Sequence, residues 1–112
     1  MKIAIPVAGG RLCMHFGHCE QFALVDVDPK EKKILAKSLL TPPPHEPGVL
    51  PRWLARNGAT CVIAGGMGSR AQGLFQEANI TVITGAQPND PDVVIEDFLN
   101  DRLDVGPNAC DH

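Results

Sequence analysis

The sequence predicts an α/β domain: a mixed β-sheet with helices packed against it. Three observations carry this. Three short apolar runs rich in Ile, Val and Leu open the chain, at Lys2–Val7, Phe22–Val27 and Ile34–Leu40. Turn chemistry, Asp28-Pro29-Lys30-Glu31-Lys32, joins the second to the third as a hairpin. After them, helix-periodic segments alternate with two further apolar runs, Thr60–Ala64 and Ile80–Ile83, which is the pattern of βαβ crossovers.

Each element has its own signal. Ala8–His18 holds three glycines and no hydrophobic period, and reads as a loop. Thr41–Gly48 carries four of the ten prolines and reads as an extended loop. A helix over Val49–Asn57 puts Leu50, Trp53 and Leu54 on one face, with Gly58 as its stop. Gly65-Gly66-Met67-Gly68 reads as a tight turn into a second helix over Ser69–Ala78, ending at Asn79. Asp90-Pro91 places an N-cap before an N1 proline and opens a third helix through Leu99, with Val94, Ile95, Phe98 and Leu99 inward. Residues 1–103 read as a single domain and 104–112 as a flexible tail. In such sheets ligands bind beyond the carboxyl ends of the parallel strands, near the switch point. The loops after the first strand and after Thr60–Ala64 should meet there.

Composition removes several classes of function. The 112 residues are 44% hydrophobic and 21% charged, ordinary for a globular domain. A net charge of −3 offers no basic field for nucleic acid or an anionic membrane. No apolar run approaches the roughly 20 residues that span a bilayer, and the N-terminal run is too short for a signal peptide. The expectation is a soluble, cytoplasmic protein. In that compartment Cys13, Cys19, Cys61 and Cys110 are expected as thiols, with Cys61 a buried small hydrophobe and the other three placed where a thiol can reach a ligand. No Gly-x-Ser-x-Gly elbow or Walker loop is present, and the chain is not expected to be an enzyme. Gly66-x-Gly68-x-x-Ala71 matches a dinucleotide fingerprint in form. The next strand, however, ends Ile83-Thr84-Gly85-Ala86-Gln87, without the acid that would hold a ribose.

Two segments carry the chemistry. Cys13-Met14-His15-Phe16-Gly17-His18-Cys19 gathers two thiols, two imidazoles and a thioether within seven residues. These are soft or borderline donors, suited to copper, zinc or cluster metals. His45 in the proline loop and Cys110 and His112 in the tail are the other candidate ligands. Gly65-Gly66-Met67-Gly68-Ser69-Arg70 lies between a buried strand and a helix, where glycine amides and a helix N-terminus favour an anion and Arg70 adds a charge. On that segment alone, a tight turn that needs small residues accounts for the glycines equally well.

At His15-Phe16-Gly17-His18, followed by Phe22 and by Ala64-Gly65-Gly66-Met67-Gly68-Ser69-Arg70, the chain resembles the dinitrogenase iron-molybdenum-cofactor biosynthesis family, from Met1 to about Leu99. The resemblance implies a ribonuclease-H-like fold, a five-stranded mixed sheet of order 3-2-1-4-5 with its second strand antiparallel. It implies a carrier or scaffold for metal–sulfur clusters, and it places His15, Phe16, Gly17, His18, Gly65, Gly66, Met67, Gly68, Ser69 and Arg70 at the binding site. Cys13, the Pro42–Gly48 loop and the cysteine–histidine tail look most like the orange-protein branch. That likeness implies a molybdenum–copper sulfide cluster held without covalent bonds to the protein, with an iron–molybdenum cofactor precursor as the alternative cargo. Donor and acceptor proteins are implied but not identified. Nuclease chemistry does not follow, because Lys2–Val7 has no aspartate to hold magnesium. The rival expectation is a small zinc or copper protein ligating directly through Cys13, His15, His18 and Cys19. A small-anion regulatory module using only the glycine turn is a third.

Overall fold

Alternation of side chains along the central strand decides the layering. The computed structural model describes residues 1–14, 16, 19–44, 48–103 and 105–106. Strand β1 (Lys2–Ala8) sends Ile3, Ile5 and Val7 to one face and Ala4 to the other, all of them buried. It is flanked by β3 (Gln21–Asp28), antiparallel from Lys2↔Asp26 to Val7↔Gln21, and by β5 (Cys61–Ile63), which runs parallel. Strand β4 (Lys33–Leu40) pairs antiparallel with β3, and β6 (Thr81–Ile83) pairs parallel with β5. The order is β4-β3-β1-β5-β6. For the five strands on this path it is the expected 3-2-1-4-5 arrangement with the second antiparallel; the ribonuclease-H-like name rests on the resemblance alone.

The sheet has six strands among the described residues, not five. The sixth, β2 (Arg11–Leu12), lies inside the segment expected to be loop and pairs Val7↔Leu12 and Ala8↔Arg11. Only Gly9 and Gly10 separate the paired residues, at φ 61° and 79°. A two-residue hairpin of the I′ kind needs positive φ at both positions, which is why both are glycine.

Helices cover both faces. Helices α1 (Val49–Arg56) and α2 (Ser69–Glu77) bury Leu50, Leu54 and Phe75 with Ala4, Phe22, Leu24 and Val62. Helix α3 (Pro91–Leu99) buries Val94, Ile95 and Leu99 with Ile3, Ile5, Val25 and Cys61 on the other side. Each fully buried large apolar side chain contributes about 1.5–3 kcal/mol. The Asp90 side chain accepts from the Asp92 amide and caps α3 with Pro91 in its first turn, as expected. No helix among the described residues is long and apolar enough to cross a membrane.

Because β1, β5 and β6 are parallel, the segments that follow them emerge at one edge of the sheet. The topology switches direction between β1, whose chain leads to β3 on one side, and β5 on the other. Beyond α3, Val105 forms an antiparallel bridge with Ala86, and the Gly106 amide donates to the Gly85 carbonyl; the rest of the segment expected to be a flexible tail, 104 and 107–112, lies outside the described residues.

Candidate functional site

The glycine turn and the loop after β2 meet, as the topology requires. The Phe16 amide donates to the Gly66 carbonyl at 3.0 Å. The Phe16 ring is buried edge-on against Phe75, centroids 5.4 Å apart, and against Phe22 at 5.7 Å. A side chain at Gly65 would meet the Met14 Cα at 3.0 Å and its Sδ at 3.1 Å, so glycine is what lets the two backbones touch. The loop is held at its base by the Cys13 amide on the Pro6 carbonyl and the Glu20 amide on the Val7 carbonyl.

Backbone hydrogen bonding gives the turn its electrostatics. Five consecutive carbonyls are committed to protein donors. Ala64 accepts from Ala86, Gly65 from Gly85, Gly66 from Phe16 and Gly68 from Gln72, all through backbone amides, while Met67 accepts from the Gln72 side chain. Lone pairs that would repel an anion are thereby occupied. The α2 N-terminus has the opposite character. Gly68 is its N-cap and supplies no side-chain cap, and the first turn contains no acid. The first amides of a helix have no acceptor within it and carry the positive end of the helix dipole. Gly68 is exposed, and a Cβ there would meet nothing within 4 Å. Ser69 and Arg70 are exposed beside it, and Arg70 forms no ion pair among the described residues.

The expected site residues divide by depth. Gly65, Gly66, Met67 and Phe16 are buried; Met67 and Phe16 belong to the core beneath the turn rather than to its open side. Gly68, Ser69 and Arg70 form the open side. His15, Gly17, His18, His45, Cys110 and His112 lie outside the described residues.

The thiols are less available than expected. Cys13 is buried, because its amide continues the β2 pairing against β1. Burial pushes the half-buried Cys19 thiol up to about 11; the neighbouring Cys13 adds to that, and a backbone hydrogen bond opposes it. Cys61 is buried in the α3-side core as expected, and burial pushes its thiol up to about 11. All three are thiols rather than disulfides. Among the described residues no three His, Cys, Asp or Glu side chains are grouped to hold a metal. Of the four ligands expected for a directly ligated zinc or copper site, only Cys13 and Cys19 are among the described residues.

Sequence reasoning missed the part played by Gly85. Its φ is 85°, its amide donates to Gly65, and its carbonyl accepts from Gly106, so it links the turn to the chain after α3. The signal available in the sequence was a glycine two residues past the end of the Ile80–Ile83 run.

Residues 1–101 match the sequence model of the family described as Dinitrogenase iron-molybdenum cofactor. An uncharacterized protein of Methanocaldococcus jannaschii, MJ0580, is 31% identical over 107 residues, covering 93% of this chain and 90% of that one. The crystal structure of PH0822 superposes with a TM-score of 0.86 at 29% identity, covering 94% of each chain. The apo form of the orange protein from Desulfovibrio gigas superposes with a TM-score of 0.75, covering 96% of this chain and 93% of that one. At 21% identity, that likeness speaks to the fold.

Proposed function

Because the chain belongs to the dinitrogenase iron-molybdenum cofactor family, we propose that it binds and carries an anionic metal–sulfide cluster, without catalysing a reaction. The observation that carries this is the exposed, uncapped α2 N-terminus at Gly68, set beside a turn whose carbonyls are all occupied. A cluster that brings its own sulfide needs donors from the protein, not further thiolates. Amides at a helix N-terminus and the Arg70 guanidinium supply N–H groups and positive charge. His15 and His18, placed at the site by the family resemblance, are proposed as further N–H donors. The cargo assigned is a molybdenum–copper sulfide cluster, or a related cofactor precursor, received from and passed to other proteins. A weak hold through many hydrogen bonds suits a carrier, because each contact is reversible.

Gly68→Asp tests the assignment, because it separates binding from folding. Gly68 has φ −65° and ψ 156°, a conformation open to any residue, and there is space for the side chain. Aspartate is a better N-cap than glycine by a few tenths of a kcal/mol, so the melting temperature should hold or rise. The same carboxylate would repel the cluster. Reconstitution with tetrathiomolybdate and copper(I) under anaerobic conditions, followed by visible absorption, should show at least about tenfold weaker retention, equivalent to ~1.4 kcal/mol. Cys13→Ala with Cys19→Ala should keep the colour. If the cysteine variant loses the coloured species and Gly68→Asp keeps it, the proposal is wrong.

A further inference from the structure

Helix α1 presents a basic stripe to solvent. Val49, Arg52, Trp53 and Arg56 recur at helical spacing, so they share one face, and with Pro43 they line a groove of about 330 Å³. Both arginines are exposed, and neither forms an ion pair among the described residues. The helix itself contains no acid to neutralise them. Trp53 is half-buried: its ring packs edge-to-face against Phe22, centroids 5.7 Å apart, while the side chain also lines the groove.

Topology sets this stripe beside the candidate site. Strand β4 runs parallel to β1, because each is antiparallel to β3, and Leu40 stands opposite Phe22, which stands opposite Pro6. The chain thus leaves β4 at the carboxyl edge of β1. It reaches the far edge at Thr60, whose amide donates to the Lys2 carbonyl. Helix α1 spans the interval, so it starts at the edge where the glycine turn and the loop after β2 meet, with Arg52 near its start.

Guanidinium groups hold carboxylates through paired N–H bonds, and tryptophan and arginine are the residues that anchor protein interfaces. The whole chain carries −3, so a polyanion is repelled by the molecule at large and attracted only where positive charge is local. Two arginines on one short helix make too short a basic track for nucleic acid, whose phosphates repeat along the strand. They suit one acidic stretch of a protein. We propose that the Arg52–Trp53–Arg56 face of α1 docks an acidic segment of a partner protein, its carboxylates on the guanidiniums and an apolar side chain against Trp53 and Pro43. The surface stands without the cluster; its use rests on the carrier proposal above, since a partner held there lies next to the turn that holds the cargo. Electrostatic docking suits such an exchange because it speeds encounter and fixes orientation.

Trp53 is the chain's one tryptophan and there is no tyrosine, so intrinsic emission reports on this groove. The probe is a short peptide of alternating glutamate and alanine, added to the unloaded chain at low salt. It should bind with a shift in Trp53 emission and weaken as salt is raised. Arg52→Gln with Arg56→Gln should bind at least about tenfold more weakly at an unchanged melting temperature. Lys30→Gln with Lys33→Gln removes the same charge at the far edge of the sheet and should bind as wild type does. Binding without a Trp53 response, equal binding by the arginine variant, or equal weakening in the lysine variant overturns the docking face. So does tighter binding of a single-stranded oligonucleotide of equal charge, which would make the face a nucleic-acid surface. Wild type and the arginine variant are then loaded with tetrathiomolybdate and copper(I), and both should colour alike. A variant that loses colour moves the arginines into the cluster site and overturns the docking face. A coloured wild type that ignores the peptide overturns the docking face alone, and one that binds the peptide yet stays colourless overturns the carrier proposal alone.

Discussion

A thiol binds a soft metal as thiolate, so its readiness to ionise decides what it can hold. At Cys19 and Cys61 burial works against ionisation and pushes both thiols up to about 11. Burial thus favours the neutral form of both, Cys61 within the α3-side core and Cys19 against the α1/α2-side core. The consequence for stability has a definite sign. In the unfolded chain these thiols lose their protons near the ordinary value of 9.0, while the folded protein keeps them until about 11. Between those limits the folded state holds more protons, so stability is complete below pH 9 and falls as pH rises toward 11. Urea midpoints measured from pH 7 to 11 should fall more steeply for wild type than for a Cys19→Ala, Cys61→Ala variant. Parallel curves would show that these thiols ionise alike in the folded and unfolded chain.

The three helices end in the same way, and that ending was partly legible in the sequence. After α1, the Ala59 amide donates to Leu54 and the Gly58 amide to Ala55; after α2, Ile80 donates to Phe75 and Asn79 to Gln76; after α3, Arg102 donates to Asp97 and Asp101 to Phe98. These are Schellman pairs, in which one residue must adopt the left-handed conformation. Gly58 does so at φ 88°, Asn79 at 62° and Asp101 at 57°. Gly58 and Asn79 announce themselves by residue type, whereas Asp101 does not. The β2 hairpin stayed hidden because two residues are too few for any periodicity, although Gly9-Gly10 is a recognised two-residue turn signal. The occupied carbonyls of the glycine turn left no trace at all, since backbone hydrogen bonds have no residue-type signature. The left-handed position also supplies a test. Asn79→Gly relieves a conformation that costs an ordinary L-residue roughly 1–2 kcal/mol and asparagine less, so it should gain about 0.5 kcal/mol. Asn79→Ala should lose about 1 kcal/mol on the same ground. Urea unfolding with unchanged slopes would report both; a destabilised Asn79→Gly would contradict the assignment.

At the scale of the molecule, the candidate site and one half of the core share a residue. The Phe16 amide holds the glycine turn through Gly66, while its ring completes an edge-to-face chain from Phe75 through Phe16 and Phe22 to Trp53. The sequence marked Phe16 only as a site residue, because its contacts with Phe75 and Gly66 are long-range and appear only once β1 and β5 lie side by side. Site geometry and the α1/α2-side core are therefore expected to change together. Phe16→Ala should cost about 3–5 kcal/mol by leaving a cavity among the aromatic rings, a large share of the roughly 5–15 kcal/mol that holds a domain folded. A purely structural role for Phe16 would stop there. The shared role predicts a second loss, read by linkage. A ligand at 100 times its dissociation constant stabilises the folded state by about 2.7 kcal/mol. Tetrathiomolybdate with copper(I) should therefore raise the wild-type urea midpoint markedly. With the Phe16 amide no longer pressed onto Gly66, the variant should bind more weakly and gain less at the same ligand concentration. Gly68→Asp should show the complementary pattern, with full stability and almost no gain on loading. If Phe16→Ala is destabilised yet gains as much from the ligand as wild type, the loop after β2 supports the core without shaping the site, and binding belongs to the α2 N-terminus alone.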